Sequence, residues 1–315
     1  MTQQFFEGPE KKLELVLAAD TPSLRELGDG FWGEVVRAAR AEVLSKRSTD
    51  QLDAYLLSES SLLVHDRWAT LITCGQTSVA EAAAHVVERV TPAAIDLLIV
   101  ERKNEHFPRE QPTSFEEDAR VLNALIPGRA LRFGREDEHC IHLFHTTRPY
   151  APPEGDTTLE VLMHGIEERS ALFHGPTDAV LEAAAAAGVT RILPGFEVDE
   201  HAFEPRGYSL NAVLGDEFYT VHVSPERVGS YVSFETNVDF TDDPSAVVRR
   251  VVETFRPESF DVLAFVPGAD PLTLDIAGYR LRRHVAAPVA GYGVTFHHFY
   301  RPPQGPVRPI ELRLD

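Results

Sequence analysis

Asp53-Ala-Tyr-Leu-Leu-Ser-Glu-Ser-Ser-Leu-Leu-Val64 sets two apolar runs on either side of a serine-rich turn. Tyr55 to Leu57 and Leu62 to Val64 read as strands of a hairpin around that turn. A hairpin at this point makes an antiparallel sheet part of the fold. The turn also carries a chemistry. A serine hydroxyl can attack the carbonyl carbon of the preceding peptide bond and convert amide to ester. β-Elimination then frees a new C-terminus and leaves a dehydroalanine that hydrolyses to a pyruvoyl group. Such a ketone can form a Schiff base with a substrate amine and accept electrons from a breaking bond. Thr73-Cys74-Gly75 follows a short way on. An ordinary serine turn fits the same residues, and this stretch alone does not separate the two readings.

Working outward, strand-like and helix-like patterns alternate. Lys12 to Leu17 alternates as a strand. Leu24 to Leu44 has helical apolar spacing, with Gly28, Gly30 and Gly33 expected to break its start. Thr77 to Val90, Phe115 to Leu125, Pro176 to Ala187 and Pro244 to Phe255 read as helices, with Gly188 as a C′ glycine. Ile95 to Val100, Cys140 to His145, Tyr219 to Val223, Ser230 to Glu235 and Phe260 to Val266 read as strands. Thr158 to His164 fits a strand or a short helix. No repeat and no linker is visible in the sequence. The tail from Pro302 is proline-rich and expected to be loosely ordered. The fold class is α+β with antiparallel sheets, and residues 1–315 are expected to form a single domain.

Composition narrows the function. The 315 residues are 43% hydrophobic and 25% charged, as in ordinary globular proteins, and carry a net charge of −19. That charge argues against nucleic-acid and anionic-membrane partners. It suits a cationic small molecule. Two cysteines, Cys74 and Cys140, cannot build a disulfide framework, so a reducing, cytoplasmic location is expected. No apolar run reaches membrane-span length and no signal peptide is read.

Three further groups can carry chemistry. Phe5-Phe6-Glu7-Gly8-Pro9-Glu10 can stack on a planar ligand or simply anchor a strand. Phe203 to Asn211, followed by Val221 to Glu226, places Ser209 and His222 where neighbouring strands could pair them as acid and base, or as an ordinary sheet hydrogen bond. Glu136 to His145 and His297-His298 gather histidines. Cys140 and His142 share a strand face while His145 points the other way, so no metal is expected.

These segments, with Arg102-Lys-Asn104, Asp156 to Glu160, Leu193-Pro-Gly195 and Tyr231 to Asn237, together resemble the eukaryotic-type S-adenosylmethionine decarboxylase proenzymes, from the N-terminus to about Val266. The resemblance implies a four-layer αββα sandwich of two antiparallel sheets, internally duplicated. It implies cleavage between Glu59 and Ser60 into a small chain 1–59 and a large chain 60–315, Ser60 becoming the pyruvoyl group. It implies that S-adenosylmethionine is decarboxylated for spermidine and spermine synthesis. By the same resemblance, Ser209 supports processing, His222 takes the α-proton and Cys74 reprotonates the product carbon. Glu7 and Glu10 tune processing and catalysis. Phe6 and Phe203 sandwich the adenine, Leu57 and Glu59 meet its edge, and Glu226 accepts the ribose hydroxyls.

Glu14, Asp156, Thr158, Glu160, Glu235 and Phe265 match an acidic cluster that binds the activator putrescine in some members. Two positions depart from the pattern: Ile72 stands where a lysine is expected, and Lys12 where an apolar residue is common. Lys12 is expected to replace the diamine in part, because buried carboxylates need a compensating cation. Two alternatives remain: a pyruvoyl decarboxylase of a smaller amino acid such as ornithine or arginine, and an uncleaved, non-catalytic activator paralogue. Monomers and homodimers of αβ units are equally compatible with the sequence.

Overall fold

A computed structural model describes residues 6–227, 229–268, 271–303 and 305, apart from the side chain of Glu167. Phe5 and most of the tail beyond Pro302 lie outside the described residues. Among the described residues, the first sheet contains β1 (Lys11–Leu17), β2 (Val43–Ser48), β3 (Leu52–Leu57), β4 (Ser60–His65), β5 (Trp68–Thr73), β6 (Ile95–Lys103), β7 (Gly128–Gly134) and β8 (Cys140–Thr146). The second contains β9 (Thr158–His164), β10 (Glu197–Ala202), β11 (Tyr208–Leu214), β12 (Glu217–Ser224), β13 (Tyr231–Thr236), β14 (Ser259–Pro267), β15 (Arg280–Val289) and β16 (Tyr292–Tyr300). The strand orders are β2-β3-β4-β5-β1-β6-β8-β7 and β10-β11-β12-β13-β9-β14-β16-β15. Adding eight to each strand of the first gives the second, so a repeat that the sequence hides is plain in the topology.

Four layers follow from where apolar side chains point. Leu13, Leu15 and Leu17 pack with Trp32, Val35, Val79, Ala83 and Leu122, residues of the helices Gly28–Ala38, Val79–Val90 and Phe115–Leu125. Those helices cover the outer face of the first sheet. Val161, Met163, Val232 and Phe234 pack with Val180, Val248 and Val252 of the helices on the second. Between the sheets, Leu97, Ile99 and Leu143 meet Leu162, Leu263 and Phe296. Alternation along β1 therefore has an unusual meaning. Leu13, Leu15 and Leu17 face helices, while Lys12 and Glu14 face the other sheet and not solvent.

The segment Leu24 to Leu44 differs from its sequence reading. Its helix runs only from Gly28 to Ala38, and Leu44 lies in β2. Gly28 does break the start, its φ of 78° separating a 3-10 turn at Arg25–Leu27 from the α-helix, whereas Gly30 and Gly33 lie inside the helix. Tertiary packing outweighs propensity here: Trp32, Val35 and Val36 are buried, and the Trp32 indole donates to the Leu24 carbonyl at 3.1 Å. Arg40, with φ 67°, then turns the chain out of the helix. Thr158 to His164 is a strand.

Candidate active site

Ser58 and Glu59 form the tip between β3 and β4, with Leu57 opposite Ser60. Ser58 exchanges hydrogen bonds with the Glu42 backbone, its amide donating at 2.8 Å and its hydroxyl accepting at 2.9 Å. The pinned turn leaves Ser60 buried with φ 132°, a left-handed conformation that costs a non-glycine residue about 1–3 kcal/mol. The strained residue is the one whose hydroxyl the family resemblance assigns to attack. Its Oγ donates to Cys74 Sγ at 3.3 Å. The Glu59 carbonyl oxygen, on the peptide bond before Ser60, accepts from the Cys74 amide at 3.0 Å and the Cys74 thiol at 3.3 Å. Two donors on one carbonyl polarise its carbon and would stabilise an oxyanion there. Burial pushes the Cys74 thiol well above its ordinary pKa, so it keeps its proton.

His222 reaches the hairpin from the other sheet. Ser209 and His222 are direct partners across β11 and β12, and Nδ1 lies 3.0 Å from Ser209 Oγ. Nε2 lies 3.0 Å from Ser61 Oγ, whose hydroxyl donates to Asn211 Oδ1 at 2.5 Å. Since that oxygen only accepts, Ser61 accepts from Nε2–H and the imidazole lone pair sits on Nδ1, facing Ser209. Withdrawing a proton on the hairpin side needs the other tautomer. Ser209 supports it, because a hydroxyl accepts as well as donates. Burial lowers the His222 pKa to about 3, so the ring is neutral and free to take a proton.

These groups line a cavity of about 490 Å³, together with Phe6, Phe203 and Glu226. Gly75, at φ 65°, lets the Phe6 ring and Glu59 close over it: a Cβ there would sit 3.2 Å from the ring and 2.9 Å from Glu59 Oε2. Burial raises Glu59 to about pKa 7, and its Oε2 is buried without a partner. Glu226 Oε1 accepts from Arg206 at 2.8 Å.

The remaining candidates sit apart from this cavity. Leu57 is buried in the core beneath the helices. Glu7 accepts from the amides of His106 and Phe107 at 2.8 and 2.7 Å, anchoring that loop. Glu10 accepts from Ser233 at 2.6 Å between the sheets. Ser61, Asn211 and Arg206 are functional neighbours the sequence reading missed. So is Lys11, which donates to the Gly75 carbonyl at 2.8 Å. The run of serines contained the signal for Ser61. The other three are recognisable only once β11, the loop before it and β1 are packed against the hairpin.

The second candidate group is gathered between the sheets. Lys12 Nζ lies 2.5 Å from Glu160, 3.4 Å from Glu101 and Glu235, and 5.5 Å from the Phe265 ring centre. Lys103, which the sequence reading did not single out, takes the other Glu160 oxygen at 2.6 Å. Glu14, Asp156, Thr158 and Glu235 line an adjoining cavity of about 440 Å³. Lys12 is directly opposite Ile72 across β1 and β5, so the two share a face. The two departures from the family pattern thus move one cation to the neighbouring strand. Burial alone would lower the Lys12 pKa, but Glu101, Glu160 and Glu235 hold it well above the usual lysine value.

Burial also raises Glu10 to about pKa 8 and Glu14 to about 7. Folding therefore binds protons that the unfolded chain has released, and stability falls as pH rises toward these values. Histidines buried as neutral rings act in the opposite sense, so the effect is isolated by comparing melts of the unmodified protein and Glu10→Gln between about pH 5 and pH 8. Relative to Glu10→Gln, the unmodified protein should lose stability with a slope of about one proton, or about 1.4 kcal/mol per pH unit, up to about pH 7, and about half that at pH 8. An unchanged slope would remove Glu10 as its source.

The fold is a duplicated αββα sandwich, and its site is a serine-bearing hairpin whose scissile-type carbonyl is held by a buried thiol. The adenosylmethionine decarboxylase family profile matches residues 3–300, and the chain belongs to that family. Among curated relatives, the S-adenosylmethionine decarboxylase proenzyme of Dictyostelium discoideum is 31% identical over 93% of this chain and 85% of its own. That of Xenopus laevis is 32% identical over 83% of each. A crystal structure of a Trypanosoma brucei AdoMetDC-delta26 monomer shares the fold, with TM-score 0.61 and 19% identity over 82% of this chain and all of that one. Among the described residues, no helix is long and apolar enough to cross a membrane.

Proposed function

We propose that this chain is a self-processing decarboxylase that cuts itself between Glu59 and Ser60 and then converts S-adenosylmethionine to decarboxylated S-adenosylmethionine and CO2 for polyamine synthesis. The observation that carries the reading is the Glu59 carbonyl, held by two Cys74 donors beside a strained Ser60. Ser60 Oγ attacks that carbonyl carbon, the C–N bond breaks, and the freed amine leaves an ester. His222 removes the Ser60 α-proton, and the Glu59 carboxylate departs from Cβ. Hydrolysis of the resulting dehydroalanine releases ammonia and leaves a pyruvoyl group on residue 60.

The site fits that group. It would form at the floor of the cavity, against a thiol that burial keeps protonated and beside the unpartnered Glu59 Oε2. The pyruvoyl carbonyl supplies an electron sink for the bond to the substrate carboxylate. The chain's own residues bind and orient. Phe6 and Phe203 stack on the adenine and present π faces to the sulfonium. With Glu226 Oε1 engaged by Arg206, the second oxygen accepts from the ribose hydroxyls. Cys74 delivers its proton to the decarboxylated carbon. Neither cysteine is in a disulfide, which suits a cytoplasmic enzyme.

The test is CO2 release by purified, processed protein from carboxyl-labelled S-adenosylmethionine, with ornithine and arginine as competitors. Turnover of S-adenosylmethionine alone supports the proposal. Turnover of only a smaller amino acid would replace the substrate assignment.

In this reading Lys12 stands in for putrescine. Adding putrescine should change the rate by less than about twofold. Lys12→Met should leave Glu160 underpaired, costing about 3–5 kcal/mol of stability. A diamine should recover part of the lost stability and rate. Several-fold activation of the unmodified protein by putrescine would overturn the assignment.

A further inference from the structure

Beyond the active site, four titratable side chains from four elements converge at one end of the inter-sheet layer. Asp261 on β14 and His298 on β16 are direct cross-strand partners. Both are buried, and His298 Nδ1 lies 2.7 Å from Asp261 Oδ1. The other oxygen, Oδ2, lies 2.9 Å from Nδ1 of His139, just before β8 in the first sheet, and 3.6 Å from Nε2 of His164 at the end of β9. We infer that His139, His164 and Asp261 form a site for a first-row divalent transition metal of the zinc class, with His298 as the positioning residue that orients the carboxylate.

One ligand atom from each of the three lies within 4.8 Å of the others. With metal–ligand bonds of about 2.0–2.2 Å, a small inward movement of the imidazoles closes a two-histidine, one-carboxylate set around an ion. Metal-bound carboxylates are characteristically held by an outer hydrogen bond to the oxygen they do not use, which is what His298 provides. An ion would replace the hydrogen bond between His139 Nδ1 and Oδ2, and binding would release its proton. It would also join the sheets, because His139 belongs to one and His164 and Asp261 to the other. The sequence reading expected no metal from Glu136 to His145 or His297-His298, yet His139 of the first run belongs to the converging set and His298 of the second orients it, while His142 stacks on Phe115 and His145 bonds its neighbour's carbonyl. The converging set comes from strands far apart in sequence.

Chelator-treated, processed protein titrated with Co2+ should develop visible d–d bands that saturate at one equivalent, and Zn2+ should displace it and raise Tm. His139→Ala, in a partly exposed turn, and His164→Ala should each weaken affinity at least about tenfold while leaving a cooperative thermal melt. His298→Ala should weaken it less, and the exposed control His174→Ala not at all. Absence of saturable Co2+ binding to the unmodified protein, or binding that survives His139→Ala, would overturn the site. These readouts do not depend on decarboxylation.

Discussion

Replacing Ser60 with alanine leaves one intact chain of residues 1–315 and no decarboxylation. The unmodified protein, by contrast, yields fragments 1–59 and 60–315 under denaturing mass spectrometry. The expectation follows from the geometry: the Ser60 hydroxyl is the nucleophile placed on the bond whose carbonyl Cys74 polarises. Ser58 is tied to Glu42, and Ser61 to Asn211 and His222, so neither neighbour can substitute without dismantling the turn. Alanine removes only an oxygen and keeps the hairpin, so a folded chain with a native melt is expected. Without the hydroxyl no cofactor can form, and activity should drop by more than about 10⁴-fold. An unmodified protein that stays intact, or an alanine variant that still splits after Glu59, would end the self-processing proposal.

His222→Ala should stop the sequence one step later. Ester formation needs Ser60 and the polarised carbonyl, which remain. Elimination needs a base, which is gone, and should slow by about 10²–10⁴-fold. An uncut chain carrying an ester at Glu59 should therefore accumulate. Hydroxylamine should split it into the two fragments, while Ser60→Ala resists the same treatment. That contrast separates a missing base from a misfolded chain, because only a chain that reached the ester can be cut. Processing at the normal rate in His222→Ala would assign the proton to another group.

The chemistry of the hairpin was legible only through the resemblance of segments spread along the chain. The hairpin itself was legible because it is local: two apolar runs flank a short turn. The helices Phe115–Leu125 and Pro244–Phe255 were legible for the same reason, since each has its own apolar spacing and a capping residue, Ser114 or Asp243. The edge strands β2, β7, β10 and β15 were not. Arg280-Leu-Arg-Arg-His of β15 is largely exposed and has no alternation to read. Glu7 and Leu57, grouped with the site by resemblance, also hold a loop and fill a core with their side chains.

From the chain alone came the hairpin, the serines in its turn, a cysteine a short way on and the resemblance to the family. Only the tertiary structure decided what the charged positions mean. Lys12, Glu14, Glu101 and Lys103 look like the solvent face of ordinary strands, yet two sheets press together over them. Out of water, each charge there must find a partner or change its protonation. Those partners, Glu160 and Glu235 for Lys12 and Asp261 for His139, come from the other half of a duplicated fold, too far along the chain for any local pattern to announce them.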